Sequence, residues 1–290
     1  MASLEWPFRA AEALDSGELT FRELRNFHEA VYPGVWVPRG MELTPAQRAQ
    51  AAWLWSRRRG VLAGLSAATL LGSKWVNADE PAELVHTNRR TPPLLVVHSD
   101  ALTDAEVQPA GPMRTTTAAR TAFDLGRRLP LAAGLQRIDA LMNATDVKVV
   151  DIEGVIAAHR GAHGLRQLRA TLALADGGAE SPYESLTRLA LIEAGFPRPV
   201  TQVAVVDEYG YVIARIDMGW PQWRVGVDFD GAHHWTDPRQ RTWDVERYAR
   251  LSELGWVDVR LTSGMLHQRR PAFLERVSAA LVAGGCPKTW

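Results

Sequence analysis

The chain has 290 residues, enough for about two domains that each bury a hydrophobic core. It is 46% hydrophobic and 23% charged, a composition typical of globular proteins and not of disordered or collagen-like chains. Its formal net charge is zero. This excludes a protein that coats nucleic acid or an anionic membrane through bulk charge, although a local basic face remains compatible with it.

The cysteine count and the N-terminal residues indicate the cellular compartment that we expect. The single cysteine, Cys286, excludes an internal disulfide and a cysteine-rich zinc module. Residues 1–14 include Glu5, Arg9 and Glu12 and lack the apolar core of a signal peptide. No apolar run approaches the roughly 18 residues of a membrane span. We therefore expect a cytoplasmic protein without a membrane partner.

Arginine supplies almost all of the positive charge. Lys74, Lys148 and Lys288 are the three lysines among 33 basic residues, so residues 149–287 contain none. A GC-rich genome explains this bias, because arginine codons are GC-rich. Its chemical consequence is that a site within that stretch has no ammonium group.

Small, turn-forming residues at 175–179 end a helical pattern and predict the main domain boundary. We expect three parts: a winged-helix-like segment over residues 1–60, a mixed α/β, mostly helical domain over 61–175, and a further domain over 176–290.

Cap residues and hydrophobic periodicity predict the N-terminal elements. In chain order they are a short helix from Phe21 capped by Thr20, a β-hairpin over 31–40 around Pro33-Gly34, a helix from Thr44 to about Arg58, a helix over 66–71, strands over 84–87 and 94–98, and helices near 115–125, 131–141, 151–158 and 164–174.

Three N-terminal stretches carry a resemblance to a known family: residues 24–37, 64–72 and 114–124. They resemble the AbiEi family of antitoxin-like regulators, which place a winged-helix DNA-binding segment before a mixed α/β domain. The resemblance implies DNA binding, and a scaffold without DNA contact is the alternative.

The C-terminal part has the order helix, three strands, helix, strand, helix. Ser181 is a plausible N-cap, Pro182 fits the first helical position, and Glu184 would close a capping box. The predicted elements are a helix from Pro182 to Gly195, strands over 202–206, 211–220 and 224–230, a helix from about 238 to 254, a strand over 256–261 and a helix from Pro271.

Three aspartates of the predicted hairpin carry the chemical signal. A hairpin centred between Gln222 and Trp223 places Asp217 across from Asp228, and alternation places Asp230 on the same face as Asp228. Three carboxylates packed together repel, and Mg²⁺ or Mn²⁺ relieves that repulsion. The alternative is a solvated hairpin face or a set of surface salt bridges.

A pattern typical of a known fold includes these aspartates, a glutamate of the preceding helix and the residues after the third strand. The positions are Glu184, Asp217, the run 228–234 with His233 and His234, and residues 244–247. Over about 80 residues this order resembles the restriction-endonuclease-like PD-(D/E)xK fold, and more closely a family related to the very-short-patch repair endonucleases. Asp228 stands where that family has Glu. Asp230 stands where the wider fold has lysine, as is usual in the closer family.

The resemblance implies an α/β domain with a restriction-endonuclease-like αβββαβ core that hydrolyses phosphodiester bonds with a metal ion. The implied roles are Asp217 and Asp228 as ligands of Mg²⁺ or Mn²⁺, Glu184 as a direct or water-mediated ligand, and Asp230 as a further catalytic residue. His234 is our candidate for the proton-transfer group, because imidazole titrates near neutral pH. Arg188 and Arg247 are our candidates for binding DNA phosphates.

Simpler interpretations exist for several of these residues. Helix capping explains Glu184 equally well, and Asp244 with Arg247 fits an i, i+3 surface pair. A zinc site at His233 and His234 lacks further ligands.

Two functions remain open. One is a metal-dependent DNA endonuclease or nickase of repair or defence, acting on double-stranded, mismatched or branched DNA. The other is a non-catalytic DNA-binding or antitoxin-like regulator with a degenerate nuclease fold. RNA cleavage is a third possibility.

Overall fold

The structure, a computed structural model, describes residues 5–88, 90–231 and 247–290. The chain divides into two compact units, Met1–Ala173 (unit 1) and Leu174–Trp290 (unit 2). Helices and strands are mixed in both units, which confirms the predicted α/β class. None of the helices within the described ranges combines the length and the apolar character that a membrane crossing requires.

Unit 1 alternates short strands with helices of six to fourteen residues. Its strands are β1 (Phe8–Arg9), β2 (His28–Tyr32), β3 (Val35–Pro38), β4 (Val61–Leu62), β5 (Ala82–Val85), β6 (Leu95–His98), β7 (Val107–Ala110) and β8 (Met113–Thr116), and its helices are α1 (Ala10–Asp15), α2 (Phe21–Phe27), α3 (Pro45–Trp55), α4 (Gly64–Leu70), α5 (Ala118–Arg128), α6 (Leu131–Ala144), α7 (Val149–Ala158) and α8 (Leu165–Leu174).

The strands of unit 1 form two sheets. One has the order β1-β3-β2 and includes the predicted hairpin, whose turn at Gly34 has a φ of +81° that suits glycine. The other has the order β6-β5-β4-β8-β7. One hydrophobic cluster contains Tyr32 and Val35 of the hairpin together with Leu62 and Leu84 of the larger sheet. The hairpin of the segment predicted to be winged-helix-like thus shares its core with strands β4 and β5, which lie beyond residue 60.

A buried polar network centred on Arg120 links α5 to the residues before β7. Arg120 is 1% exposed and Asp124 is fully buried. The Arg120 guanidinium donates from Nε to Asp124 Oδ2 at 3.0 Å and from Nη1 to Glu106 Oε1 at 2.8 Å. Buried ions are tolerated only when they are paired in this way.

Unit 2 follows the predicted order, with one short additional helix. Its elements are α9 (Pro182–Glu193), β9 (Val200–Val206), β10 (Val212–Trp220), β11 (Val225–Phe229), α10 (residues 247–253), β12 (Val257–Leu261), α11 (Ser263–Gln268) and α12 (Arg270–Ala283). Helix α11 was not predicted.

The sheet of unit 2 has the order β12-β11-β10-β9. Strands β9, β10 and β11 pair antiparallel, and β12 pairs parallel to β11. One hydrophobic cluster packs Leu191 of α9 and Phe273 of α12 against Trp220 and Val227, and a second includes Leu251 of α10. The helices are thereby held against the strands that carry the predicted aspartates.

We expect Arg120→Met to destabilise unit 1 by about 3 kcal/mol, because it leaves Glu106 without its arginine partner and removes one of the arginines that pair with the fully buried Asp124. Denaturant unfolding of the full chain measures the effect, with the exposed Arg160→Met as the matched control. Equal stability of the two variants would show that the buried network contributes nothing.

Candidate active site

Asp217 and Asp228 face each other where the β10–β11 ladder ends. Ladder pairing runs from Trp220 with Val225 to Met218 with Val227, and the two aspartates are the next pair in register, as the hairpin prediction required. Asp228 Oδ1 accepts a hydrogen bond from the Asp217 backbone N–H at 2.8 Å. Asp217 Oδ2 accepts one from the Phe229 backbone N–H at 2.7 Å. Each carboxylate is therefore held by the strand opposite its own.

Two glycines allow the strands to approach closely just before these aspartates. Gly219 pairs with Gly226 in the ladder. A Cβ atom on Gly219 would lie 2.4 Å from the Val225 carbonyl oxygen, a distance that no side chain tolerates. The glycine pair thus contributes to the geometry of the site without contributing a functional group.

Glu184 lies close enough to Asp217 for its carboxylate charge to act on that residue. It is 6% exposed, and its Oε2 accepts hydrogen bonds from the Glu180 backbone N–H at 2.8 Å and from Gln202 Nε2 at 3.2 Å. The Ser181 hydroxyl caps α9 by accepting from the Glu184 N–H. In a full capping box the Glu184 carboxylate would accept the backbone N–H of Ser181. Here it accepts the N–H of Glu180, the residue before the N-cap, so this half of the predicted capping box does not form.

The electrostatics show excess negative charge. Burial, with the charges of Asp228 and Glu184, raises the pKa of Asp217 to about 7. Burial also raises the pKa of Glu184. A fourth carboxylate, Asp258 on β12, has its pKa raised well above the ordinary value by burial and by the charge of Asp228.

Asp258 was missed by the sequence reasoning. In the parallel β11–β12 register, Gly226 pairs with Asp258 and Asp228 with Arg260. The available signal was an aspartate between two valines in the predicted strand 256–261. A buried charge at such a position requires a partner or a function.

Asp230 does not join the other aspartates as predicted. Strand β11 ends at Phe229, and the Asp230 backbone N–H donates to the Leu261 carbonyl at 2.7 Å. Its carboxylate instead forms an ion pair with Arg260 at 3.0 Å. The alternation rule failed because Asp230 lies beyond the end of the regular strand.

The two predicted phosphate-binding arginines have different surroundings. Arg247 Nη2 contacts Asp228 Oδ2 and also donates to the Arg215 carbonyl at 2.9 Å. Arg188 is fully buried, and its Nη1 donates to the Leu174 carbonyl. A buried guanidinium cannot reach a DNA phosphate, so the DNA-binding role predicted for Arg188 is withdrawn.

Several predicted residues lie outside the described residues. They are His233, His234 and Asp244. The proton-transfer role of His234 and the pairing of Asp244 with Arg247 therefore stay predictions.

The donor chemistry at this site fits a divalent cation. The carboxylate oxygens are the hard ligands that Mg²⁺ and Mn²⁺ prefer, and both oxygens of Asp258 are buried without a hydrogen-bond partner. Among residues 5–88, 90–231 and 247–290, however, no three His, Cys, Asp or Glu side chains are already gathered as a metal-ligand group. Arg247 supplies a positive charge at Asp228 instead, and a cation bound there would compete with it.

The raised pKa of Asp217 predicts how metal-free protein responds to pH. Folded protein keeps this proton up to about pH 7, whereas the unfolded chain loses it near 3.8. The free energy of unfolding therefore decreases as pH rises through this window. Wild-type protein should therefore lose on the order of 2 kcal/mol of its free energy of unfolding over this pH range, and we expect Asp217→Asn to abolish that loss. Denaturant titrations of both proteins in EDTA measure it, and parallel pH profiles would contradict it.

Comparisons with known proteins place the chain among mycobacterial relatives. No family model and no solved structure matches the chain. It is 32% identical over 193 residues to uncharacterized protein MT2308 of Mycobacterium tuberculosis (strain CDC 1551 / Oshkosh), and equally to uncharacterized protein Rv2248 of Mycobacterium tuberculosis (strain ATCC 25618 / H37Rv). The match covers 64% of this chain and 70% of each relative. The chain therefore belongs to the family of these two mycobacterial proteins.

Proposed function

We propose that the protein is a metal-dependent DNA endonuclease or nickase with a restriction-endonuclease-like domain related to the very-short-patch repair enzymes. The observation that carries the proposal is the reciprocal bonding of Asp217 and Asp228 at the end of the β10–β11 ladder, beside the buried Glu184. The order of α9, three strands, α10 and β12 supports it.

Asp217 and Asp228 would hold Mg²⁺ or Mn²⁺, with Glu184 as a direct or water-mediated ligand. When bound, such a cation polarises the scissile phosphate and lowers the pKa of a bound water. The protein's contribution is to keep both aspartate side chains in place through backbone hydrogen bonds. These side chains would therefore lose little conformational freedom when the substrate binds.

Arg247 would bind a phosphate group of the substrate, and His234 would transfer a proton. Arg247 is 26% exposed at its side chain and carries a guanidinium suited to phosphate oxygens. His234 remains our choice for accepting or donating the proton at the reacting oxygen, because imidazole titrates near neutral pH. The unit 2 sequence up to residue 287 has no lysine for this task.

We further propose that the partner is double-stranded DNA, with mismatched or branched forms as candidate substrates in repair or defence. The site would work in the cytoplasm, where Mg²⁺ and DNA are both available. The AbiEi-like pattern of unit 1 supports a DNA-binding contribution from residues 1–60.

A second function is favoured by a specific observation. Arg247 pairs with Asp228, and Arg260 pairs with Asp230, so arginines already neutralise two of the acidic groups. A nuclease fold that had lost its metal would be expected to show such pairs. The alternative is therefore a non-catalytic DNA-binding regulator.

We expect the wild-type protein to cleave DNA with Mg²⁺ or Mn²⁺ and not in EDTA. Asp217→Asn and Asp228→Asn should each lower the rate at least about 100-fold. Supercoiled, mismatched and branched DNA are the substrates to test, with RNA as a further arm. Glu193→Gln, an exposed carboxylate paired with Arg270, is the matched control and should cleave normally.

The outcomes separate the two functions. Unchanged cleavage by both aspartate variants would show that the proposed site is wrong. DNA binding that persists in EDTA, without turnover under any metal condition, would support the non-catalytic regulator.

A further inference from the structure

The longest run of arginines in the chain, residues 57–59, forms the turn that follows helix α3. Arg57 and Arg58 both have left-handed backbone, with φ values of +56° and +63°. Residues with a Cβ atom adopt this conformation at a cost, and glycine or asparagine is the usual choice at the end of a helix. The turn therefore keeps two arginines where the backbone favours glycine.

Backbone hydrogen bonds and the Arg58 side chain hold this turn in place. The Arg57 N–H donates to the Leu54 carbonyl at 2.9 Å, and the Arg58 N–H donates to the Trp53 carbonyl at 3.0 Å. The Arg58 guanidinium contacts both carboxylate oxygens of Glu12, with Nη2 to Oε2 at 2.6 Å. It also lies over the Trp53 ring, 5.6 Å from the ring centroid. Arg58 thus fixes the turn against α1.

The arginines on either side of Arg58 have no such partner. Arg57 and Arg59 are exposed, and within the described ranges neither side chain forms an ion pair or a hydrogen bond. Glu12 also pairs with Arg9 at 2.7 Å, so one carboxylate balances two guanidinium groups. The turn is therefore a local excess of positive charge on a protein whose net charge is zero.

Phosphate groups of a nucleic-acid backbone fit this arrangement. A guanidinium group donates several N–H groups in one plane and binds phosphate oxygens well. The backbone of the turn is already fixed, so ordering it adds little to the free-energy cost of binding. Residues 57–59 are all exposed arginines, so the turn offers no apolar side chain for insertion into a membrane. These features favour DNA, the partner expected for both candidate functions.

We propose that Arg57 and Arg59 bind phosphate groups of DNA, with Arg58 as the residue that positions the turn. The inference rests on the DNA partner of the proposed function and assigns part of the binding to unit 1. Left-handed backbone at residue 57 is then retained by arginine because glycine, although better suited to it, carries no guanidinium. Interaction with the dipole of α3 is the competing explanation for cations at this helix end.

DNA binding by the full-length protein in EDTA tests the proposal without reference to cleavage. The affinity for a fluorescently labelled duplex is measured by anisotropy over a range of NaCl concentrations. We expect Arg57→Gly and Arg59→Gln each to weaken binding about five- to tenfold at about 0.1 M salt. Each should also reduce the slope of log affinity against log salt by about one, because each removes one phosphate contact.

Arg57→Gly distinguishes phosphate binding from a structural role. Glycine relaxes the left-handed backbone, so the midpoint of thermal unfolding should stay unchanged or rise by about 2 to 4 °C. Arg57→Lys keeps the charge and should bind DNA within about threefold of wild type. A lower midpoint for Arg57→Gly with normal DNA binding would show that the residue serves the helix dipole, and would overturn the proposal.

Arg224 provides a matched control in unit 2. It is an exposed arginine with a φ of +50° in the β10–β11 connection, and its Nη1 donates to the Leu254 carbonyl at 3.2 Å. Arg224→Gly removes the same charge from the same backbone conformation and should change DNA affinity no more than about twofold, because exposed charges are screened. Equal weakening by Arg224→Gly and Arg57→Gly would indicate a general loss of charge and overturn the proposal.

The remaining outcomes separate this proposal from the proposed function. Wild-type affinity in both Arg57→Gly and Arg59→Gln would overturn the role of the turn and leave the proposed function standing. Absence of DNA binding by wild-type protein would overturn both. Weak binding by both variants, without cleavage by wild type under any metal condition, would support the role of the turn and overturn the nuclease. Loss of binding to phosphatidylserine vesicles, with DNA binding unchanged, would make the turn a membrane contact and overturn the proposal.

Discussion

The hydrogen bonds exchanged between Asp217 and Asp228 determine the rest of the acidic site. At the point where the β10–β11 ladder ends, the two carboxylates accept backbone N–H groups of the opposite strands. Both side chains are thus as firmly placed as the strands themselves. The same bonds hold negative charges close together, at a cost that burial increases. Arg247 offsets part of this repulsion at Asp228, whereas burial, together with the charges of Asp228 and Glu184, raises the pKa of Asp217.

The sequence predicts the Asp217–Asp228 pair because a tight hairpin determines its own register. The connection at 221–223 and the alternation of side chains are local features. The position of the turn therefore determines which residues of β10 and β11 lie opposite each other. Asp258 could not be found in this way. Its neighbour Asp228 lies across a parallel pair, and no turn determines the register of parallel strands that a long crossover separates.

The remaining differences have similar physical causes. Strands β1 and β4 have two residues each, too few to show a period of two, and β7 and β8 contain glutamine, proline, arginine and threonine, so they lack an apolar alternation. Helix periodicity placed Arg188 one turn after Glu184 but gave no indication that this face is buried. Arg120 likewise is a charged residue within a core, and hydrophobic patterns do not reveal such residues. Caps at Thr20, Thr44 and Ser181 were predictable because each is a local bond.

The arginine bias has a consequence for how this site can change its charge. The cations beside the carboxylates in the described residues are Arg247 and Arg260, and a guanidinium keeps its proton under all cellular conditions. A lysine in their place could lose its charge when buried. The positive side of the balance is therefore constant. A change in the charge of this part of unit 2 must therefore come from its carboxylates, and the raised pKa of Asp217 makes that charge depend on pH.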